Sequence, residues 1–325
     1  VVRRMVRLGA SVLLALVTAL AVTSPILAAR GPSGVVGQVY VNNNSAGENT
    51  VAGFDRHSDG SLTPLPGSPF RAGGAGTGGP IGSAGSLQRS SDGRFLLVAD
   101  AGSNELSVLR IQQNGSLVRV GRPVPSGGLE PVSIAVHDTL VYVANTGAGG
   151  SNYTGFRFLG GVLRPIPDST FPLPDTALPG HVLFGGSARG RIADLLGAGL
   201  TLIGTRVGPN AGPSFIDSFR VGLDGRLTPA AGSPYAAQRI GPFGSAVRPT
   251  DPTQLFVSNA HDGPNAGSVS AYTIGADSVL TPVTGSPFAN GQTAPCWVAI
   301  TPDGRELFAV NTGATSISGY AIAPD

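Results

Sequence analysis

An internal repeat runs through most of this chain and limits the folds that the chain can adopt. The phrase DGSLTPLPGSPF at 59–70 returns as DGRLTPAAGSPY at 224–235 and as DSVLTPVTGSPF at 277–288. Weaker copies lie at 114–125 and 160–171. Aligned on their leucines, the five copies place Leu62, Leu117, Leu163, Leu227 and Leu280 about 50 residues apart. Repeats of this length indicate stacked supersecondary units.

A second phrase lies between these copies and consists of a short apolar run that ends in a small polar residue. It reads VYVNN at 39–43, LLVAD at 96–100, VYVAN at 141–145, LFVSN at 255–259 and LFAVN at 307–311, with LIGT at 202–205 as a degenerate member. Alternating segments such as ELSVLRI follow it, which is typical of half-buried strands. Apolar segments that enter tight turns, several of them Asp-Gly, precede it. Each unit therefore predicts four short strands, A to D.

Four-stranded antiparallel units that repeat in this way predict an all-β fold, a β-propeller. The 49 glycines and 27 prolines argue against a helical bundle, because either residue breaks a helix interior. Six repeats are visible, but the first reads B-C-D and the last reads A-B-C. We therefore expect a ring that is truncated relative to a complete one. The alternative is a six-bladed ring in which residues 31–37 supply a closing strand.

The first 29 residues have the pattern of a secretory signal peptide. Three arginines precede an apolar run at 8–22, and small residues at 25–29 offer a cleavage site. The run is shorter than the roughly 20 residues of a spanning helix, although an uncleaved anchor is the alternative. We therefore expect a signal peptide over 1–29 and a propeller domain over 30–325. The protein would then be secreted, periplasmic or in the cell envelope, with no membrane span after signal removal.

Charge and cysteine content exclude several classes of partner and site. All 21 basic residues are arginines, and three of them lie in the leader, so the rest of the chain is nearly neutral. Nothing resembles the basic patch that a nucleic acid requires. The single Cys296 permits no internal disulfide. No zinc-ligand spacing, phosphate loop or nucleophile elbow occurs, so we expect no metal and no other cofactor.

Four segments carry a resemblance to a known family: VYVNNNSAGENTVAGFDRHSDGSLTPL, DAGSNELSVLRI, VPSGGLEPVSIAVHDTLVYVAN and APCWVAITPDGRELFAVNTGATSISGYAIAPD. They resemble bacterial seven-bladed propellers of the lactonase family, often labelled 6-phosphogluconolactonase-like or 3-carboxymuconate cyclase-like. The resemblance covers nearly the whole mature chain and is weakest from about 179 to 207. It implies a seventh blade after residue 325, in agreement with the strand count. It also implies a lactonase or a lactonizing cyclase.

Lactone opening or closure needs a general acid or base beside the ring, and donors for the carboxylate and the oxyanion. His181 stands just before an A-type strand, where it can face the channel, and His261 lies on a loop after a B strand. We predict one of them as the acid/base, with Arg189, Arg191 or Arg206 orienting the carboxylate. Some members of the lactonase family carry an Arg-His pair at the start of strand A, and that pair is absent from PCW at 295–297.

A ring of polar residues is the second candidate site. Asn42, Asp100, Asn145, Asn259 and Asn311 recur at the end of strand B. Asp100, Asn145, Asn259 and Asn311 are our candidates for binding a sugar or a cation at one channel mouth. The alternative is that each residue caps a turn by bonding neighbouring backbone.

Two functions therefore stay open. The first is an exported lactonase-like enzyme that hydrolyses or forms a sugar-acid or muconate-type lactone. The second is a non-catalytic propeller that presents its loop faces to a glycan or protein partner in the envelope. The family resemblance favours the first. The charged fraction of 12%, the missing Arg-His pair and the Asn-rich loops favour the second.

Overall fold

The computed structural model describes residues 34–186, 199–209 and 212–323. These residues form six antiparallel sheets, or blades, and one 3-10 helix (Asp175–Ala177). Blade 1 contains β1 (Val35–Asn42), β2 (Gly47–His57), β3 (Leu62–Pro64) and β4 (Phe70–Gly76). Blade 2 contains β5 (Leu87–Arg89), β6 (Phe95–Asp100), β7 (Glu105–Ile111), β8 (Leu117–Arg119) and β9 (Val124–Pro125).

The next three blades repeat the pattern of blade 2, and the sixth is shorter. Blade 3 contains β10 (Pro131–His137), β11 (Leu140–Asn145), β12 (Asn152–Leu159), β13 (Val162–Pro165) and β14 (Phe171–Pro172). Blade 4 contains β15 (Pro179–Gly185), β16 (Thr201–Arg206), β17 (Phe215–Val221), β18 (Leu227–Pro229) and β19 (Tyr235–Ala236). Blade 5 contains β20 (Pro242–Arg248), β21 (Asp251–Asn259), β22 (Ser268–Ile274), β23 (Leu280–Pro282) and β24 (Phe288–Ala289). Blade 6 contains β25 (Pro295–Ile300), β26 (Glu306–Asn311) and β27 (Ser316–Ala321).

The predicted four-strand unit is confirmed, with strand D split into two short segments that both pair with strand C. Counted with each D strand as one, the described residues form 22 strands, as the repeats predict. Blade 1 has B, C and D, and blade 6 has A, B and C. Residues 35–37, part of the alternative closing strand, lie in β1, which pairs with β2 as strand B. No helix in the described ranges is long and apolar enough to cross a membrane.

The split in strand D explains why Gly-Ser-Pro recurs. In blade 1, residues 65–69 bulge away from strand C, because β3 and β4 pair on either side of them. The hydroxyl of Ser68 accepts the hydrogen bond of the Gly53 N–H at 2.9 Å, which the bulge leaves without a strand partner. Equivalent bonds connect Gly155 to Ser169, Ser218 to Ser233 and Ala271 to Ser286. The serine thus satisfies a backbone donor in four of the blades.

The Asp-Gly-x-Leu turn connects strand C to strand D. Gly60 adopts φ +85°, a left-handed conformation that favours glycine. Asp59 accepts the Ser61 N–H at 2.9 Å and holds the turn. Asn114 and Asp224 accept the corresponding N–H groups in blades 2 and 4. The turn motif therefore fixes the register of the C–D hairpin.

The hydrophobic core lies between successive blades rather than at one centre. In blades 2 to 5 the repeat leucine of strand D packs against the blade before it, whereas Leu62 of blade 1 is exposed. Leu117 contacts Val51 and Ala72 of blade 1, and Leu163 joins the cluster of Leu97 and Val108 in blade 2. Because the blades pack face to face, apolar and polar residues alternate along the strands and the leucine recurs in successive blades.

Candidate functional site

The inner strands of the blades lie around a central channel. Strand A of blade 3 contacts strand A of blade 4, blade 4 contacts blade 5, and blade 5 contacts blade 6 in the same way. Side chains from these strands therefore converge on the axis, where a propeller can hold a ligand. The side chains that the described A strands place around the channel determine which reactions a bound ligand could undergo.

Residues 77–86, which join blade 1 to blade 2, extend across this channel and are called the axial segment. Within it, the Ala84 N–H donates to the carbonyl of Gly180 in blade 4 at 2.9 Å. The Ser83 hydroxyl donates to a carbonyl of blade 3 at 2.6 Å, and Nε1 of Trp297 in blade 6 donates to the Ser83 carbonyl at 3.0 Å. The axial segment therefore provides one wall of any site in the channel.

Three polar side chains converge beside Gly85 of the axial segment. A Cβ atom placed on Gly85 would lie 2.9 Å from Nε2 of Gln88 and 3.3 Å from both Nε2 of His181 and Oγ of Ser133. These residues belong to strand A of blades 2, 4 and 3. Gln88 and His181 are half-buried, and Ser133 is buried. We call Gln88, Ser133 and His181 the channel cluster.

The hydrogen bonds of His181 determine which ring nitrogen carries the proton. Nδ1 accepts the backbone N–H of Ser245 at 3.0 Å and lies 2.9 Å from the Ser245 hydroxyl. The proton of the neutral ring therefore sits on Nε2, which points into the channel cluster. Burial lowers the pKa of His181 to about 4, so the ring is neutral at pH 7.

This arrangement can polarise a carbonyl or hold a carboxylate. Nε2–H of His181 and the side-chain amide of Gln88 are both donors, and both nitrogens, from two blades, lie within 3.3 Å of the same point beside Gly85. The Ser133 hydroxyl already accepts the Val182 N–H at 3.0 Å and keeps its own proton to donate. With Nδ1 bonded to Ser245, His181 acts as a donor in this state rather than as a base.

Arg206 lies one strand away, but its guanidinium bonds elsewhere. Nε and Nη2 donate to the two oxygens of Asp217 at 2.6 and 2.7 Å, and the Tyr153 hydroxyl donates to the same carboxylate at 3.0 Å. The Asp217 side chain is only 1% exposed, and burial raises its pKa while the bonds from Arg206 oppose that rise. A bidentate pair of this kind fixes Arg206 in place.

The other predicted catalytic residues do not join the channel cluster. His261 packs its ring on Gly241 in blade 5, with Nδ1 buried and, among the described residues, without a hydrogen-bond partner. Burial lowers the pKa of His261, and the neighbouring Asp262 acts in the opposite direction. Arg189 and Arg191 lie outside the described residues.

Four of the predicted ring residues, Asp100, Asn145, Asn259 and Asn311, are buried at the ends of the B strands, where they bond to the start of strand C, whereas Asn42 at the end of β1 is half-buried. Nδ2 of Asn145 donates to the side chain of Asn152 at 2.8 Å. Asn259 and Asn311 each donate to two serine hydroxyls of the following strand. These cross-strand bonds close the B–C loops. Arg206 occupies the equivalent end of β16 in blade 4, a match that alignment of LIGTR with the other repeats would have found.

Asp100 is the carboxylate of this ring and lies fully buried between blades 1 and 2. It accepts Nδ2 of Asn49 at 2.9 Å and the hydroxyl of Ser107 at 2.5 Å. Burial raises the pKa of Asp100 to about 6, because these donors only partly replace water. Within the described ranges, no three His, Cys, Asp or Glu side chains lie together as a metal site.

The pair Cys296–Trp297 occupies the position where the resemblance implies an Arg-His pair. The Cys296 thiol lies 3.0 Å from the Thr312 hydroxyl and is partly exposed rather than fully buried. The Trp297 ring meets Phe243 edge-to-face, with centroids 6.1 Å apart. These two residues form part of the channel wall beside the axial segment.

Comparison with known proteins agrees with this architecture. Residues 39–156 match the family described as lactonase, 7-bladed beta-propeller. The periplasmic gluconolactonase of Pseudomonas aeruginosa superposes with a TM-score of 0.64 at 19% identity, over 88% of this chain and 78% of its own. A protein of Bacteroides fragilis, whose assignment as a 6-phosphogluconolactonase is itself provisional, gives 0.63 at 17% identity, over 89% and 78%. No curated protein matches the sequence.

Identities this low establish the fold alone. The family match covers blade 1 from the middle of β1, blade 2, and the first three strands of blade 3. Blades 4 to 6 repeat the same unit. The described residues therefore have the propeller fold with six blades, and residues 39–156 are similar to the lactonase family of seven-bladed β-propellers.

Proposed function

We propose that this protein binds a small lactone or sugar acid in its central channel and promotes hydrolysis of the lactone. The convergence of Gln88, His181 and Ser133 beside Gly85 carries this proposal. An ester carbonyl placed there would accept hydrogen bonds from at least two preorganised donors. Donors aimed at a developing oxyanion stabilise the tetrahedral intermediate more than the ground state.

The chemistry requires only water as a second reactant. Water attacks the lactone carbonyl, and the carbonyl electron pair moves to an oxyanion held by Nε2–H of His181 and the Nε2 amide protons of Gln88. When this tetrahedral intermediate collapses, the carbonyl re-forms and the ring C–O bond breaks. The released alkoxide takes a proton from solvent, and the proton of the attacking water goes to solvent, which leaves the hydroxy acid. Because His181 is neutral with Nε2 protonated, it serves as donor and not as base.

The test is lactone hydrolysis by the wild type and by His181→Ala and Gln88→Ala, with His137→Ala as the control. His137 ends β10 near the A–B hairpin of blade 3 and packs on Phe184. We expect each channel variant to lower kcat/KM for an aldonolactone at least about tenfold, with the control unchanged. Equal activity in all four proteins would refute the proposal.

The non-catalytic alternative rests on one observation, that Nδ1 of His181 is occupied by Ser245 and leaves the cluster without a base. In that case calorimetry would show binding of a sugar acid or glycan fragment that His181→Ala abolishes, with no lactone turnover. Export is a further proposal, supported by the leader pattern at 1–29. Amino-terminal sequencing of protein recovered from the cell envelope or medium would test it.

A further inference from the structure

Strand A of blade 4 begins with a bulge directly before His181. Pro179 pairs with Arg206 in β16. The preceding residue of β16, Thr205, pairs with His181, so Gly180 is an extra residue in the ladder. A bulge re-aims the side chains beside it, because it bends the strand and increases its local twist. The bulge therefore sets the direction in which the His181 side chain leaves the strand.

The hydroxyl of Thr205 bonds to the backbone of this bulge. It accepts the His181 N–H at 3.1 Å and donates its own proton to the Phe243 carbonyl of blade 5 at 3.0 Å. Thr205 is fully buried, so water cannot replace the hydroxyl as the partner of either backbone group. A single hydroxyl therefore attaches the main chain of His181 to β20, the A strand of the next blade.

The ring of His181 is attached to the same strand. Nδ1 accepts the Ser245 N–H at 3.0 Å, and Ser245 follows Phe243 by two residues in β20. The backbone and the ring of His181 are thus bonded to β20 at two points. Two such bonds restrict how far the ring can turn. They therefore determine where Nε2–H lies, which is beside Gly85 and close to the amide of Gln88.

The Thr205 hydroxyl is not a general requirement of the bulge. Blades 3 and 6 have the same bulge, but the residues opposite it are Ala144 and Val310, which have no hydroxyl. In blade 5 the penultimate residue of strand B is Ser258, and its hydroxyl donates to carbonyls of blades 5 and 6. The bond from a bulge N–H to a hydroxyl thus occurs in the blade that carries the histidine. This coincidence points to the site rather than to the fold.

We propose that Thr205 is a positioning residue, whose hydroxyl holds the backbone of His181 so that Nε2–H points at the carbonyl of the bound lactone. The inference rests on the proposed function, which assigns that donor to the oxyanion. Thr205 has no exposed surface, so it acts through His181 and not on the ligand. Without the hydroxyl, the strand has to shift before the His181 N–H and the Phe243 carbonyl find other partners. A displacement of about 1 Å in such a group costs about a hundredfold in rate.

The experiment compares Thr205→Val, Thr205→Ser and the matched control Ser258→Ala in the full chain. Valine has nearly the shape of threonine but no hydroxyl, and serine keeps the hydroxyl. Ser258→Ala removes a buried hydroxyl from the equivalent position of blade 5. NMR of protein labelled with nitrogen-15 histidine shows at pH 7 which ring nitrogen of His181 carries the proton, and His181→Ala assigns the signal. Lactone hydrolysis separates kcat from KM, and urea denaturation measures stability.

We expect the wild type, Thr205→Ser and Ser258→Ala to show His181 with its proton on Nε2 alone. Thr205→Val should show a mixture of the two ring forms, because the ring no longer holds its bond to the Ser245 N–H. Its kcat should fall at least about tenfold while KM stays within about threefold, and Thr205→Ser should recover most of the loss. A folded Thr205→Val protein with the wild-type His181 signal would overturn the proposal, whatever its stability.

The NMR signal does not depend on turnover, so the two proposals can fail separately. If the wild type hydrolyses no lactone, the proposed function fails, and the His181 signal of Thr205→Val still decides whether the hydroxyl positions the ring. In an active enzyme, a changed signal with an unchanged kcat would overturn the positioning role. If Thr205→Val does not fold, Thr205→Ala removes the same hydroxyl and its signal is compared in the same way.

Discussion

Replacement of Asp100 by asparagine should remove a pH-dependent loss of stability. Asp100 is fully buried, and its pKa rises from 3.8 to about 6 on folding. The folded protein therefore binds this proton more tightly than the unfolded chain does, so stability falls as pH rises through the interval between these values. A shift of about two pKa units corresponds to about 3 kcal/mol, which is an upper value for this group.

The Asp100→Asn variant has no proton to lose at this position. Asparagine fits the site, because Asn145, Asn259 and Asn311 occupy the equivalent position in other blades. We expect the free energy of unfolding of the variant, minus that of the wild type, to increase by up to about 3 kcal/mol between pH 4 and pH 7.5. Any constant effect of altered hydrogen bonding cancels, because the comparison is between two pH values.

Urea denaturation at several pH values measures this difference, with Asp92→Asn as the control. Asp92 lies in an exposed turn, where the hydrogen bonds from Ser90 and Arg94 lower its pKa to about 2. Its replacement should therefore change the pH dependence in the opposite direction, between about pH 2 and pH 4, and leave the stability difference nearly constant at higher pH. A stability difference between Asp100→Asn and the wild type that stays constant from pH 4 to pH 7.5 would refute the conclusion that burial raises the pKa of the Asp100 carboxyl.

Three further predictions test other parts of the molecule. Leu117→Ala should cost about 2–5 kcal/mol of unfolding free energy in urea denaturation, whereas the exposed Leu62 should tolerate the same change within about 0.5 kcal/mol. Tyr153→Phe should cost about 1–3 kcal/mol in the same assay, because it removes a donor from the buried Asp217 carboxylate. Trp297 is the only tryptophan and bonds to the axial segment, so a ligand entering the channel should shift its emission, and an unchanged spectrum at saturation would contradict the site.

The sequence predicts the repeating parts of the fold because they obey local rules. Alternation, Asp-Gly turns and the leucine repeat identify strands B, C and D in blades 1 to 5, and strands B and C in blade 6. The split of strand D is not visible in the pattern, because the serine that bridges it reads as part of a turn. No local pattern indicates that residues 77–86 cross the channel, because the residues they contact, Gly180 and Trp297, are distant in sequence.

The residues of the candidate site are harder to predict from the sequence than the strands are. His181 is identified from its place before strand A, but Gln88 and Ser133 carry no local signal, and only the closed arrangement of blades brings them together. Arg206 is chosen for its charge, while the structure bonds it to Asp217. Long-range pairing therefore decides which of several polar residues can meet a ligand.

Repetition separates the structural residues of this propeller from the candidate functional ones. The leucines, the bridging serines and the strand-end asparagines recur from blade to blade, and packing or backbone satisfaction explains each of them. The position two residues after the first proline of strand A behaves differently. It holds Ser133 in blade 3, His181 in blade 4 and Trp297 in blade 6, opposite the penultimate residue of strand B in each case. All three lie against the axial segment, so a position that is structurally equivalent carries a different chemistry in each blade, as a ligand-binding surface requires.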